Sequence, residues 1–288
     1  QIDLPLGEIG RLLGVEIERE GVVDLLQRLG FRAQGADPLT VTVPTTRPDV
    51  RRAADLVEEV ARLYGYDKIP ETLPTGGGGG LTVLQRRERD LRAIMIGAGY
   101  AEANTFSFVG TDDLDRLELP ADDLRRDGIQ VRNPLREEES LLRTTLLPGL
   151  LKSARFNVSH GADQVALFEM GKVFLKEPSP ADPRIPHQPD LLAFVVVGHL
   201  GARGLDHGRS ADVYSAVATW RLLESALGLS ATEVRQIQAP AFHPGRAAEV
   251  RVADEPIGVV GELHPAVVHA FGLQGRVSAG ELRIEPLL

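Results

Sequence analysis

Apolar residues recur at helical spacing in some stretches of the chain and cluster or alternate in others. Leu6, Ile9, Leu12 and Leu13 predict a short amphipathic helix broken at Gly14. Val22, Leu25, Leu26 and Leu29 share one face of a second helix over 20–29, with Gly30 just past its end. Phe31 to Gln34 and Leu39 to Val43 read as two short strands around a Gly-Ala-Asp-Pro turn. A third helix follows Pro48 and runs to about Tyr64. This order of helix, helix, strand, strand, helix suits a small winged-helix-like domain over 1–70.

Residues 71–82 contain Pro74 and five consecutive glycines, Gly76 to Gly80, which neither a helix nor a strand favours. They mark a linker and a domain boundary. Beyond it, 83–288 reads as one α+β domain. Helices are predicted over 84–98 (Leu84, Leu91, Ile94, Met95 and Ala98 near one face), within 146–158, and over 214–227. Strand-like runs occur at 129–132, 165–174, 192–197, 248–252, 257–263 and 277–284. Short loops between the last three favour antiparallel pairing, so an antiparallel sheet with flanking helices is expected.

The 288 residues exceed one compact core, and 43% hydrophobic with 25% charged residues is an ordinary globular balance. The longest apolar run, Leu191 to Val197, has strand length and falls far short of the roughly 20 residues that cross a bilayer. The opening QIDLPLGEIG lacks the features of a signal peptide and reads as a start within a longer gene. With no cysteines, the chain has no disulfide framework and no thiolate metal site, which fits a cytoplasmic setting. A net charge of −9 argues against RNA binding by this chain alone. Arg86, Arg87, Arg89 and Arg92 form the best basic patch, with the spacing of a solvated helix side.

The most informative chemistry lies in RPDVRRAADLVEEVARLYGYDKIP, 47–70. Leu56, Val60, Leu63 and Tyr64 make an apolar face. Asp55, Glu58 and Glu59, at i, i+3 and i+4, are expected on the other side, and Asp49 just ahead of the helix can fold back towards them. Each close pair of such charges costs roughly 3 kcal/mol at about 5 Å and an effective dielectric near 20. Mg²⁺ could relieve this by taking one or two oxygens and keeping several waters. The alternative is a solvated face favoured by the helix dipole, with Arg62 paired to Glu58 and Glu59. Spacing alone favours that solvated face.

The block VPTTRPDV and ADLVEEVARLYGYDKIP closely resembles the signature of the small acidic domain in the bacterial phenylalanine–tRNA ligase β subunit. NPLREEESLLRTTLLPGLL (133–151), Asn157, LFEMGKVF (167–174), FHPGRAAEV (242–250) and GELHPAVVHAFGL (261–273) are similar, in order, to that subunit's catalytic-like domain. Arg136 stands where the family often has Ser, and the glycine run is unusual. The resemblance implies a class II aminoacyl-tRNA synthetase-like fold that is catalytically silent. It implies a Mg²⁺ ion at Asp49, Asp55, Glu58 and Glu59, shared with the catalytic α subunit of an α2β2 heterotetramer. ATP and tRNA(Phe) would be used by the whole complex. The tRNA-binding, editing and anticodon-binding regions of the family are expected to lie outside this chain.

Contact with the α subunit is expected through 84–98 and 103–108, which could equally be core. Arg143 and Arg246 are read as structural rather than phosphate-binding. His243 and His264, each before proline, are placed in loops or turns, and no spacing around Glu262 supports zinc. No phosphate loop or nucleophile elbow is present. The competing readings are a stand-alone nucleic-acid-binding or interaction module and a metal-dependent phosphotransferase. The first is disfavoured by charge, and the second by the missing phosphate cradle.

Overall fold

A computed structural model describes residues 1–73, 79–200 and 209–288. The middle of the expected linker, 74–78, lies outside the described residues. The chain divides into two compact units, Gln1–Gly79 and Gly80–Leu288.

The first unit runs β1 (Ile2–Leu4), α1 (Gly7–Leu13), α2 (Arg19–Arg28), β2 (Arg32–Gln34), β3 (Leu39–Thr42) and α3 (Ala53–Tyr64). Its three strands pair antiparallel in the order β1-β3-β2. β1 was not expected, because three residues are too few to show alternation. α1 ends at Gly14, whose φ of 71° is the left-handed conformation glycine adopts freely. Val22 and Leu26 of α2 and Leu56 and Val60 of α3 close over Leu4, Phe31, Leu39 and Val41. Burying a side chain of this kind contributes about 1.5–3 kcal/mol.

The second unit is built on seven strands. In chain order, the elements that form it are α4 (Val83–Gly97), β4 (Ala101–Glu102), α5 (Leu147–Ser159), β5 (Val165–Lys172), β6 (Asp190–Val197), α6 (Val213–Leu227), β7 (Thr232–Gln236), β8 (Phe242–Val252), β9 (Glu255–Leu263) and β10 (Val277–Arg283). The sheet order is β7-β8-β9-β10-β6-β5-β4. Every pairing is antiparallel except β4 against β5, where Ala101 and Glu102 run parallel to Leu167 and Phe168. The sheet is therefore mixed, and the purely antiparallel expectation fails at that edge.

Both faces of the sheet are covered. Leu147, Leu150, Leu151 and Ala154 of α5 pack on Val165, Ala193 and Val195. Leu91 and Met95 of α4, with Trp220 and Leu223 of α6, pack on Phe168, Leu192, Phe194 and Val196 opposite. β6 feeds both layers, which is why Leu191 to Val197 is continuously apolar instead of alternating. Gly280 of β10 makes room for one of these side chains: a Cβ there would lie 2.5 Å from two ring carbons of Phe194. α4 opens with a capping box, in which Thr82 Oγ1 accepts the Gln85 N–H at 3.2 Å and Gln85 Oε1 accepts the Thr82 N–H at 3.0 Å.

One expected strand does not form. Over 129–132 the chain makes an isolated bridge, Gln130 to Leu141, flanked by two backbone hydrogen bonds, before Pro134 ends the pairing. The expected strand over 248–252 instead begins at Phe242 and contains irregularities between Phe242 and Ala247 and between Val250 and Arg251.

Candidate functional site

The four acids singled out in the first unit do different jobs. Asp55 lies in the first turn of α3, where backbone N–H groups lack helical partners. Its Oδ2 accepts the N–H groups of Arg51 and Arg52, each at 2.9 Å, and Arg52 Nη2 approaches Oδ1 at 3.2 Å. Those backbone hydrogen bonds hold the Asp55 carboxyl below its ordinary value.

Glu59 is buried, although the helical pattern placed it on the polar side. At 100° per residue it lies only ~60° from Leu56, on the rim of the apolar arc, whereas Glu58 lies ~160° away. A segment ahead of the helix covers that rim. Arg47 Nη2 donates to Glu59 Oε1 at 2.6 Å, and Arg62 pairs with Glu59 Oε2. The Glu59 side chain is 8% exposed. Arg47 comes first among the causes that hold its carboxyl below the usual range.

Asp49 is held by the same guanidinium. Arg47 Nε donates to both Asp49 oxygens, at 3.0 and 3.1 Å, and Nη2 reaches Oδ2 at 2.6 Å, lowering the Asp49 pKa. The guanidinium carbon sits 6.0 Å from the ring centroid of Phe31. Glu58 is exposed and makes no ion pair or hydrogen bond among the described residues. The expected Arg62 pairing thus forms with Glu59 alone. Arg47, two residues before Asp49, was missed; the Arg-Pro-Asp sequence was its only signal.

Among the described residues, no three Asp, Glu or His side chains gather closely enough to hold a metal ion. As they stand, the four carboxylates do not form a cage. Their chemistry suits a hard cation, since all are oxygen donors, but only Glu58 offers an uncommitted carboxylate.

In the second unit, the arginines that could have met a phosphate are engaged internally. Arg143 Nη1 donates to Glu169 Oε1 at 2.7 Å and to Thr105 Oγ1 at 3.1 Å, while Nε donates to the Lys172 carbonyl at 2.9 Å. It thus braces β5, while the start of α5 is tied down by Glu281. Glu281 accepts the Leu146 N–H at 2.7 Å and the Thr145 hydroxyl at 2.8 Å. Burial pushes the Glu281 carboxyl above its ordinary value. Arg246 pairs with buried Glu262 at 2.8 Å, and Glu262 also accepts the Val213 N–H at the start of α6.

His243 lies in the irregular opening of β8, where Nδ1 accepts the Gly245 N–H at 3.1 Å, so it is not in a free loop. His264 precedes a short helix over Pro265–Ala270 and lies 3.1 Å from Glu118. Of the basic patch, Arg92 pairs with Glu102 at 2.7 Å.

A separate feature is exposed apolar surface. Phe106 is 79% exposed and Phe108 42%, beside a cleft of about 310 Å³ that they line with Gly149, Lys152 and Ser153. On α4, Val83, Leu84 and Ile96 are also exposed. Only Leu91 and Met95 of that helix are buried.

Residues 2–66 match the family model of the tRNA synthetase B5 domain, and 69–284 match that of the phenylalanyl tRNA synthetase β chain CLM domain. A phenylalanine–tRNA ligase β subunit of Streptomyces avermitilis is 41% identical over 99% of this chain and 37% of its own length. The β subunit of Moorella thermoacetica is 39% identical over 98% and 35%. The chain therefore spans about a third of the length of these curated relatives. The structure of pyrrolysyl-tRNA synthetase from Desulfitobacterium hafniense superposes with a TM-score of 0.55 over 71% of this chain and 68% of that one. At 15% identity, that likeness concerns the fold.

Proposed function

Because the chain belongs to the phenylalanine–tRNA ligase β-subunit family, we propose that it is the section of such a subunit that scaffolds the catalytic α subunit within an α2β2 heterotetramer. The first unit is read as a small winged-helix-like domain, and the second as a class II synthetase-like domain that performs no chemistry. In this reading, phenylalanylation of tRNA(Phe) with ATP belongs to the whole cytoplasmic complex, and this chain alone is inactive.

The carrying observation is the state of Arg143. Class II activation of an amino acid needs an arginine free to meet the ATP α-phosphate. Arg143 is instead buried in a closed set of hydrogen bonds to Glu169, Thr105 and Lys172. The exposed apolar residues of α4 and Phe106 and Phe108 supply surface for a partner. An obligate interface of this kind buries upwards of roughly 2,000 Å².

The reading also assigns a Mg²⁺ ion, shared with the α subunit, to the acidic face that carries Asp49, Asp55, Glu58 and Glu59. When bound, the ion would neutralise that face and link the subunits. The chain's own contribution would be oxygen donors on α3 and, from Asp49, on the segment just ahead of it. Phenylalanine-dependent ATP–pyrophosphate exchange tests the proposal. No exchange is expected from this chain alone, and exchange is expected in assemblies that contain the α subunit. Exchange by this chain alone would refute the scaffold role. Retention of tRNA on filters at low salt would favour a nucleic-acid-binding module instead.

A further inference from the structure

We propose that the cleft lined by Phe106 and Phe108 is a docking site for an arginine or lysine side chain of a protein partner, and that the buried Arg143–Glu169 pair, acting through Thr105, holds the cleft in shape. The choice of the α subunit as that partner rests on the scaffold reading above; the clamp does not.

The two rings belong to a segment with little regular structure of its own. Phe108 and Val109 pair with Leu142 and Leu141 in a short ladder, and the Ser107 carbonyl accepts the Arg143 N–H at 2.9 Å. Thr105, just ahead of the rings, is fastened from within. Its hydroxyl donates to Glu169 Oε2 at 2.7 Å and accepts from Arg143 Nη1 at 3.1 Å, and its N–H reaches Glu169 Oε1 at 3.3 Å. α5 comes close enough for this only because Gly149 has no side chain: a Cβ there would lie 2.3 Å from Thr105 Oγ1. A buried ion pair is weak support for stability, because desolvation offsets much of its attraction. Here it has a second consequence. Two rings left in water are tied to one arrangement before a partner arrives, and a preformed surface loses less entropy on binding.

The chemistry of the cleft selects its occupant. Phe106 and Phe108 are both exposed, and Gly149 and Ser153 beside them add little bulk. Aromatic rings attract a cation, and the aliphatic stem of arginine or lysine adds apolar contact. The charge beside the rings matches. Glu138 and Glu139 line the same cleft and make no ion pair or side-chain hydrogen bond among the described residues. Lys152, which also lines it, is already paired with Asp113. The two free carboxylates welcome a cationic side chain and repel phosphate, which favours a protein segment over RNA.

The test titrates the α subunit onto this chain by biolayer interferometry. Urea unfolding followed at buried Trp220 checks the fold, and hydrogen exchange over 104–109 checks the clamp. Phe106→Ala and Phe108→Ala should each weaken binding by about tenfold or more, with the unfolding midpoint of Phe106→Ala unchanged. Glu138→Lys with Glu139→Lys should slow association by about tenfold at low salt, and the difference should shrink in about 0.5 M salt. Thr105→Val should speed exchange over 104–109 and weaken binding by about fivefold, and Thr105→Ser, which restores the hydroxyl, should recover both.

A Phe106→Ala chain that binds within about twofold of the parent overturns the docking site, and so does a charge-reversed chain that associates as fast as the parent. Parental exchange in Thr105→Val overturns the clamp. A parent chain that does not bind the α subunit removes the scaffold reading and the docking role with it, while the exchange series still decides the clamp. Retention of tRNA on filters by the parent and not by Phe106→Ala would show the rings stacking on bases, and would overturn the choice of a protein occupant.

Discussion

Replacing Arg143 by Met should destabilise the second unit severely and for a reason unconnected with nucleotide. The side chains of Arg143 and Glu169 are 6% and 2% exposed and meet at 2.7 Å. Removing the guanidinium leaves a buried carboxylate with Thr105 as its remaining neighbour, and it strands the Lys172 carbonyl. Breaking a buried pair by deleting one partner costs about 3–5 kcal/mol, a large part of the roughly 5–15 kcal/mol that holds a domain together. Arg143→Lys should cost less, because a charge remains, but it cannot reach Glu169 and the Lys172 carbonyl together. Urea unfolding reports this directly, since Trp220 is the only tryptophan in the chain and is fully buried in the second unit. A loss below about 1 kcal/mol for Arg143→Met would refute the bracing role and return Arg143 to the pool of groups available to a ligand.

Two further outcomes follow. Gly280→Ala should lose about 1–3 kcal/mol by the same urea assay, because the new methyl would overlap the Phe194 ring; Phe194→Leu in the same protein should recover part of the loss, and full parental stability would refute the packing argument. The two units should also respond oppositely to acid. Native Glu281 holds its proton to higher pH than the unfolded chain, so its contribution to stability falls as pH rises above the ordinary glutamate value of about 4.3, and Glu281→Gln should flatten that fall. Native Glu59, Asp55 and Asp49 bind protons less readily than in the unfolded chain. Their contribution, discounted for the exposed Asp49, is lost as pH drops below about 4, which faster hydrogen exchange over 44–64 should register. Protection that is constant from pH 7 to about 3 would contradict this assignment.

Much of the architecture was legible because local spacing and final environment agree. α3 and α4 appear where their apolar periodicity puts them, and the run Leu191 to Val197 announced a strand. What escaped depended on distant partners. β4 exists because Phe168 offers backbone pairing to two residues that carry no strand pattern of their own. The helical wheel could not bury Glu59, because burial requires Arg47, twelve positions upstream, to fold over the rim of α3. Likewise, nothing near Leu146 signalled that the helix behind it would be anchored by Glu281, 135 positions away. The acids were found by type and spacing. Their division into a helix-capping, a buried ion-paired and an exposed carboxylate was set by tertiary structure.

The ends of the seven-stranded sheet carry one more implication. At one end stands a strand of two residues, and at the other β7 presents Glu233 and Arg235 along five. Short or charged borders give an incoming chain few rungs on which to extend a sheet. Growth by strand addition is therefore discouraged at both margins. Any association of this unit with another chain would then rest on side chains of helices and loops, where shape, rather than the generic backbone, discriminates between surfaces.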